Sequence, residues 1–328
     1  MPVQITIIGL GQIGASMGLA LAAHKESVLR VGHDLKRELE RDALQKDVAD
    51  KMEHNLPSAV RDAKLVVLAI PVSQVKETLE FIAPDLQEGA VVLDTSPVKA
   101  GVQKWAKEIL PKGRHYVGLA PALNPEALHE FGLGLTAARS DLFSRGLFLV
   151  TAPSGVPEEA VTLTMNFVRL LGAEPILADL FESDGLMSTV HLLPQLVAAS
   201  LLNATFDQPG WQDARKVAGR PYAVATSGMA YQDELDSLRM SVLQNRAGIV
   251  HALDITIAAL HGLRDDIESE NEEGVTARLE SALKGRQRWL GERLTADWEN
   301  TGQSSMSDLP SMSERLFGGF FTKKNRGK

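Results

Sequence analysis

The stretch VQITIIGLGQIGASMGLAL, residues 3–21, changes its period at Gly9. Residues 3–8 are β-branched and read as a buried strand, and a helical pattern follows to about His24. Gly9, Gly11 and Gly14 set the spacing G-x-G-x-x-G at the junction. In that arrangement the first glycine makes a tight turn and the second lets backbone approach a pyrophosphate. The third lets the helix pack closely on the strand, while the helix N-terminus faces the phosphate charge. Alone, such a motif is weak. Here a second strand, VLRVGHD, ends at Asp34, where a carboxylate meets the ribose hydroxyls of a dinucleotide. Leu10, Gln12 and Ile13 complete the loop.

Working outward, the apolar runs KLVVLAI (64–70), AVVLDT (90–95), GLFLVT (146–151) and PILAD (175–179) alternate with helical segments. That order predicts a doubly wound α/β fold with a mostly parallel sheet covered on both faces. GRHYVGLAPALNPE, residues 113–126, follows AVVLDT and reads as a segment beyond a strand, shaping a pocket wall. After about residue 180 the pattern turns all-helical. The predicted division is a dinucleotide-binding domain over 1–180, a helical substrate and dimerisation domain over 181–299, and a flexible tail over 300–328. LMSTVHLLPQLVAASLLNATF (186–206) is apolar nearly all round and should be buried on every side, with a kink at Pro194. Stretches 233–263 and 272–298 are amphipathic. The tail carries Leu316, Phe317, Phe320 and Phe321 beside a basic end.

The 328 residues carry a net charge of −8, which makes the chain a poor nucleic-acid binder, and no cysteine, which excludes disulfides and thiolate chemistry. The eight histidines are scattered without metal-ligand spacing, so no metal is expected. The apolar opening lacks a basic leader and is broken by glycines, so no membrane span is expected and the chain reads as cytoplasmic. Asp34 would repel a ribose 2′-phosphate and so favours NAD, although Lys36 and Arg37 soften the bias toward NADP. A flavin dinucleotide protein could share the glycine motif. The strand end in LAIPVSQV, with Ile70 and Pro71, suits a nicotinamide cofactor better, as does Thr95 at the end of AVVLDT.

With these pieces placed, the chain resembles the prephenate/arogenate dehydrogenase family over about residues 3–290. The resemblance runs through GLGQIGASMGLAL, VGHD, LVVLAIPVSQV, VVLDTSPVK, YVGLAP, ARSDLF, FLVT, ESD, LLPQLVAASLLN, AGRPY and LQNRAGIVHALD. It implies a Rossmann domain followed by a helical domain that dimerises, with the active site in the cleft between them. The family's catalytic histidine, whose imidazole polarises the substrate hydroxyl as hydride leaves, falls at Ala120. A His-Leu-Pro-His motif reads Leu192-Leu193-Pro194-Gln195, the substrate-carboxylate arginine falls at Gly228, and the serine of Gly-Ser-Val-Lys falls at Pro97. Ser96 and Lys99 flank that last position and are candidate catalytic groups.

Asp184, Ser188, His191 and Gln195 are spaced by four, three and four residues, a polar stripe on an apolar helix. If it faces the cofactor cleft, as the resemblance implies, His191 is the candidate acid/base with Gln195 or Asp184 orienting it, and Ser188 meets substrate. The competing reading makes His191 a hydrogen-bonded interface residue. Asn124 offers an amide to substrate or ordinary turn chemistry, and Arg220 and Tyr222 offer a cation and a hydroxyl. The reading is an NAD(P)-dependent oxidoreductase, a homodimer, passing hydride between nicotinamide and a small carboxylate-bearing substrate diverged from prephenate. Its alternatives are a true prephenate/arogenate dehydrogenase with substituted site residues and a non-catalytic NAD(P)-binding sensor.

Overall fold

The computed structural model describes residues 2–130, 132–230 and 235–295. The tail over 300–328 and positions 233–234 and 296–298 of the amphipathic stretches lie outside the described residues. The strands are β1 (Val3–Ile8), β2 (Val28–His33), β3 (Lys51–Met52), β4 (Leu65–Leu68), β5 (Val91–Asp94), β6 (His115–Ala122), β7 (Leu147–Thr151) and β8 (Glu174–Leu177). They form one sheet in the order β3-β2-β1-β4-β5-β6-β7-β8. Every neighbouring pair is parallel except β6 with β7. Helices α1 (Gln12–Ala20), α2 (Arg37–Gln45), α3 (Leu56–Val60), α4 (Val72–Ile82), α5 (Ala100–Ile109) and α6 (Glu158–Leu170) connect or cover it.

Strand residues alternate between faces, so continuous apolar runs feed two cores. Leu65 and Val67 of β4 join Met17 of α1 and Phe167 of α6 on one side. Val66 and Leu68 join Val75 and Leu79 of α4 and Val102 of α5 on the other. The fully buried Arg30 on β2 donates to Asp50 (2.6 and 3.2 Å) and to the Gly18 carbonyl (2.9 Å), fastening β2 to α1 and to the residue before β3.

Two strands differ from the sequence expectation. β3 is only two residues long, too short for a period to register. GRHYVGLAPALNPE is not a segment beyond a strand, because most of it is β6. Its Gly, Ala and Pro content disguises it, and the register explains why Pro121 is tolerated. β6 pairs with β5 only over His115–Gly118 and with β7 from Gly118 to Ala122, so its later residues have a partner on one side only.

From Leu180 the described residues are helical: α7 (Leu180–Met187), α8 (Leu193–Phe206), α9 (Trp211–Val217), α10 (Arg220–Thr226), α11 (Leu235–Gln244), α12 (Arg246–Glu268) and α13 (Glu272–Thr295). A π turn, Ser188–Leu192, joins α7 to α8. The π turn lies just before Pro194, the second residue of α8, and its wider ring is the place where the N–H that Pro194 lacks is accommodated in a helix running from Leu180 to Phe206. The expectation of burial on every side fails within one chain. Leu192 and Ala198 are buried in the chain, while Val190 and Val197 are 67% and 39% exposed. Residues Leu180–Phe206 are long and apolar enough to cross a membrane by length and composition, with 22% of the most apolar window buried. The chain is one compact unit through Leu279. From Glu280 a second unit begins, whose described part is the rest of α13, with ion pairs Lys284–Glu280 and Arg288–Glu292 along it.

Candidate active site

The glycine loop has the physical form that its spacing implies. Gly9 has φ +93°, and a Cβ there would overlap the Ala69 carbonyl at the end of β4. A Cβ on Gly14 would overlap the Gly9 carbonyl, so only glycine lets α1 approach β1 this closely. At Gly11 nothing lies within 4 Å of such a Cβ, which leaves the start of α1 open to a phosphate. Leu10 is fully buried and offers only its backbone, while the Gln12 side chain reaches the Ala137 carbonyl (3.4 Å). Asp34 accepts from Leu10 N and Lys36 N, both at 2.9 Å, which fixes its carboxylate at the end of β2 beside the glycine loop. Its own N–H donates to Glu40 (3.2 Å), and Glu40 also meets His54 (3.1 Å).

A cavity of about 380 Å³ lies at the C-terminal ends of the central strands. Ile13, Ile70, Pro71, Thr95, Ser96 and Pro97 form its sheet side, with Pro121 and Leu123 after β6. Met187, His191, Leu192 and Gln195 face them from the π turn and its flanking helices, and Ser237, Leu238 and Ser241 from α11. Ligands gather at such strand ends in open α/β sheets. Among the described lining residues His191 is the one that titrates near neutrality, and none is a Lys, Arg, Asp or Glu. His191 is solvent-accessible yet crowded by protein, and the resulting desolvation lowers its pKa.

The four-residue stripe divides. His191 and Gln195 reach the cavity, and Gln195 Nε2 donates to the His191 carbonyl at 2.8 Å. Asp184 and Ser188 turn into the protein. Asp184 accepts from Lys99 N (2.6 Å) and Ala100 N (3.0 Å) at the start of α5, and Ser188 Oγ accepts from Asn245 Nδ2 (2.5 Å). The π turn adds a residue to one turn, so regular helical spacing does not carry across it. Burial pushes the Asp184 carboxyl up, against the lowering by those two amides.

Ser96 and Lys99 also part company. Ser96 lines the cavity, its Oγ donating to Asp94 Oδ2 at 2.8 Å. Lys99 is fully buried behind it, and its ammonium donates to Asp94 O (2.8 Å), Asp94 Oδ2 (3.0 Å) and Ser96 O (2.5 Å). All three protons are used, so the carboxylate that Lys99 pairs with is Asp94 and not a ligand's. Burial lowers its pKa, and Asp94 opposes the shift. Tyr116, 3.4 Å from the same carboxylate, has its hydroxyl pushed up by burial. Asn124 caps the short 3₁₀ helix Pro125–His129 by accepting from Glu126 N, and donates to the Asp141 carbonyl, both at 3.1 Å; this is turn chemistry away from the cavity. Arg220 and Tyr222 do not line the cavity; Tyr222 hydrogen-bonds Thr205 at 2.8 Å. Ala120 is buried within β6, and Gly228 packs on α8, where a Cβ would lie 3.3 Å from Gln195 Cα.

Sequence reading missed Asp94, Asn245, Ser237 and Ser241. Asp94 had a signal, an acid closing an apolar strand. Ser237 and Ser241 share a helix face at a spacing of four, and Ser237 hydrogen-bonds Ser73 of α4 at 2.8 Å.

A doubly wound sheet, a glycine loop at its first crossover and a carboxylate closing β2 define a nucleotide-binding protein of the dehydrogenase class. Residues 17–177 match the family described as prephenate dehydrogenase, nucleotide-binding domain. The chain is 25% identical over 291 residues to a prephenate dehydrogenase of Bacillus subtilis, covering 85% of this chain and 74% of that one. It is 26% identical over 286 residues to a cyclohexadienyl dehydrogenase of Zymomonas mobilis, covering 86% and 94%. The fold is shared with a prephenate dehydrogenase from A. aeolicus solved with hydroxyphenyl propionate and NAD+, with TM-score 0.76, 20% identity and coverage of 88% and 98%. Residues 17–177 thus carry the nucleotide-binding domain of a prephenate dehydrogenase, and these likenesses indicate an NAD(P)-dependent dehydrogenase of the prephenate/arogenate type.

Proposed function

We propose that this protein is an NAD-dependent dehydrogenase that moves hydride between the nicotinamide and a small carboxylate-bearing substrate that has diverged from prephenate. The observation that carries the reading is the cavity itself, where one imidazole, His191, faces the strand ends beside the glycine loop. The open space at Gly11 and the fixed carboxylate of Asp34 fit a dinucleotide, and Asp34 favours NAD over NADP. When bound, the cofactor supplies the hydride acceptor or donor at nicotinamide C4. In the oxidative direction His191 takes the substrate hydroxyl proton as the carbon gives up hydride, and in the other direction it returns that proton. Ser96 and Gln195 orient the reacting group. The described wall holds no cation, so it suits a hydroxyl-bearing, apolar reacting end, with the substrate carboxylate held at the mouth, where water solvates it. Ala120 and Gly228, at the family's histidine and arginine positions, support the divergence.

In this reading residues 1–180 bind the nucleotide, 181–299 hold substrate and dimerise, and the tail over 300–328 lies beyond both. The exposed apolar residues Val190, Val197 and Phe206 favour a second copy as their cover over lipid, because the same segment carries buried, hydrogen-bonded Asp184 and Ser188. The enzyme works in the cytoplasm.

The test is NAD(P)H formation by purified protein with prephenate and with arogenate, each with NAD and NADP, followed by a panel of other hydroxy acids. Turnover of the panel and not of the first two supports the divergence. Rapid turnover of prephenate or arogenate refutes it, and NAD binding with no turnover at all makes the chain a sensor. On whichever substrate is found, His191→Asn lowers kcat about 100-fold or more.

A further inference from the structure

We propose that Asp184 and Asn245 are positioning residues that clamp the π turn and thereby fix the His191 ring in the cavity; this rests on the reading of His191 as the proton-transfer group. A π turn is a single loosened turn whose wider ring leaves its direction to outside contacts. His191 is the fourth of the five residues in this one, Ser188–Leu192. The turn is tied on two sides. Toward the sheet, the Asp184 carboxylate accepts from the first two N–H groups at the start of the ten-residue α5, a placement that the helix dipole favours. That corner is itself rigid, since Lys99 is held by Asp94 with both side chains fully buried. Toward α12, the amide of Asn245 donates one proton to Asp184 O at 2.6 Å, in the last turn of α7 that leads into the π turn, and one to Ser188 Oγ at 2.5 Å, the π turn's first residue.

The backbone nearby makes room for this arrangement. A Cβ on Gly248 would stand 3.0 Å from both Ser188 Oγ and Asn245 Oδ1 and press on the pair. Ser188 is fully buried, so its hydroxyl has no water to replace the lost donor if Asn245 is shortened. Neither Asp184 nor Asn245 lines the cavity, and no charged group does among the described lining residues. Their influence on His191 therefore runs through the turn rather than through direct charge contact.

The experiment follows the His191 ring proton by NMR titration in full-length wild type, Asn245→Ser, Asp184→Asn and Asp184→Glu, with the resonance assigned by its loss in His191→Asn. NAD affinity in the same samples reports whether the sheet domain is intact. We expect His191 of the wild type to titrate below about 6.5. Asn245→Ser and Asp184→Asn should each move it toward that ordinary value by about 0.5 unit or more as the ring gains water. The Kd for NAD should stay within about twofold, a change of less than half a kcal/mol, and Asp184→Glu should restore part of the wild-type titration. A His191 titration unchanged in Asn245→Ser, with NAD binding retained, overturns the clamp, and that milder variant carries the test if Asp184→Asn does not fold. The readout needs no substrate. A shifted titration beside undiminished activity of His191→Asn upholds the clamp and removes His191 from the chemistry. An unshifted one removes the clamp whatever the activity.

Discussion

In the glycine loop and at the end of β2, residue identity follows from backbone geometry. Gly9 needs a left-handed φ, Gly14 has no room for a Cβ, and Asp34 is pinned by two backbone N–H groups. On the helical side the wall is made of side chains, Met187, His191, Gln195, Ser237 and Ser241, on elements whose backbone would accept many others. A site that binds an invariant cofactor through backbone is under geometric constraint. A wall that meets substrate through side chains can be rewritten without disturbing the fold. Of the positions that the resemblance marks as altered, Pro97, Leu192 and Gln195 line the cavity, while Ala120 is buried in β6 and Gly228 packs on α8.

The contrast can be broken most forcefully at its hinge, the buried Lys99–Asp94 pair. Lys99→Met leaves Asp94 unpaired in a place without water and should cost about 3–5 kcal/mol of stability, read by urea denaturation. Replacing both partners with apolar residues should recover part of that loss. If the single variant is as stable as wild type, the pair does not anchor the β5–α5 corner. On the sheet side, Gly14→Ala should weaken NAD binding at least about tenfold, or 1.4 kcal/mol, measured by titration of the bound cofactor. An unchanged affinity would mean that the loop is not set by steric closeness.

The smallest effect belongs to the helical side. The pKa of His191 is lower folded than unfolded, so below about pH 6.5 the unfolded chain takes up a proton that the folded chain does not. Stability associated with this group is therefore present above that pH and is lost as pH falls through the folded-state value. His191→Gln removes the loss, and its stability relative to wild type should rise between pH 7.5 and pH 5. A constant difference across that range would show that the ring is not desolvated.

Much of this was readable beforehand. The apolar runs and the glycine spacing led to the sheet and to the form of the glycine loop, and the resemblance led to the prephenate dehydrogenase nucleotide-binding domain matched over residues 17–177. β6 was hidden because its Gly-Leu-Ala-Pro content lacks strand character, and its pairing is supplied by β7, about thirty residues later. The polar stripe was drawn on an unbroken helix. The π turn splits it, sending His191 and Gln195 to the cavity and Asp184 and Ser188 to the interior. Lys99 reads in the sequence as a candidate catalytic group, and only the fold buries it against Asp94 and Ser96.

By itself, then, the sequence determined the alternation of strand and helix, the glycine loop and the carboxylate at the end of β2, because those depend on local period and on backbone sterics within a few residues. The tertiary structure decided which polar groups face the cavity and which are consumed in holding it. Those outcomes depend on partners 57 to 85 residues away, as with Asn245 to Ser188 and Lys99 to Asp184. A buried donor takes whichever acceptor the packing brings to it, and no local pattern records which one that is.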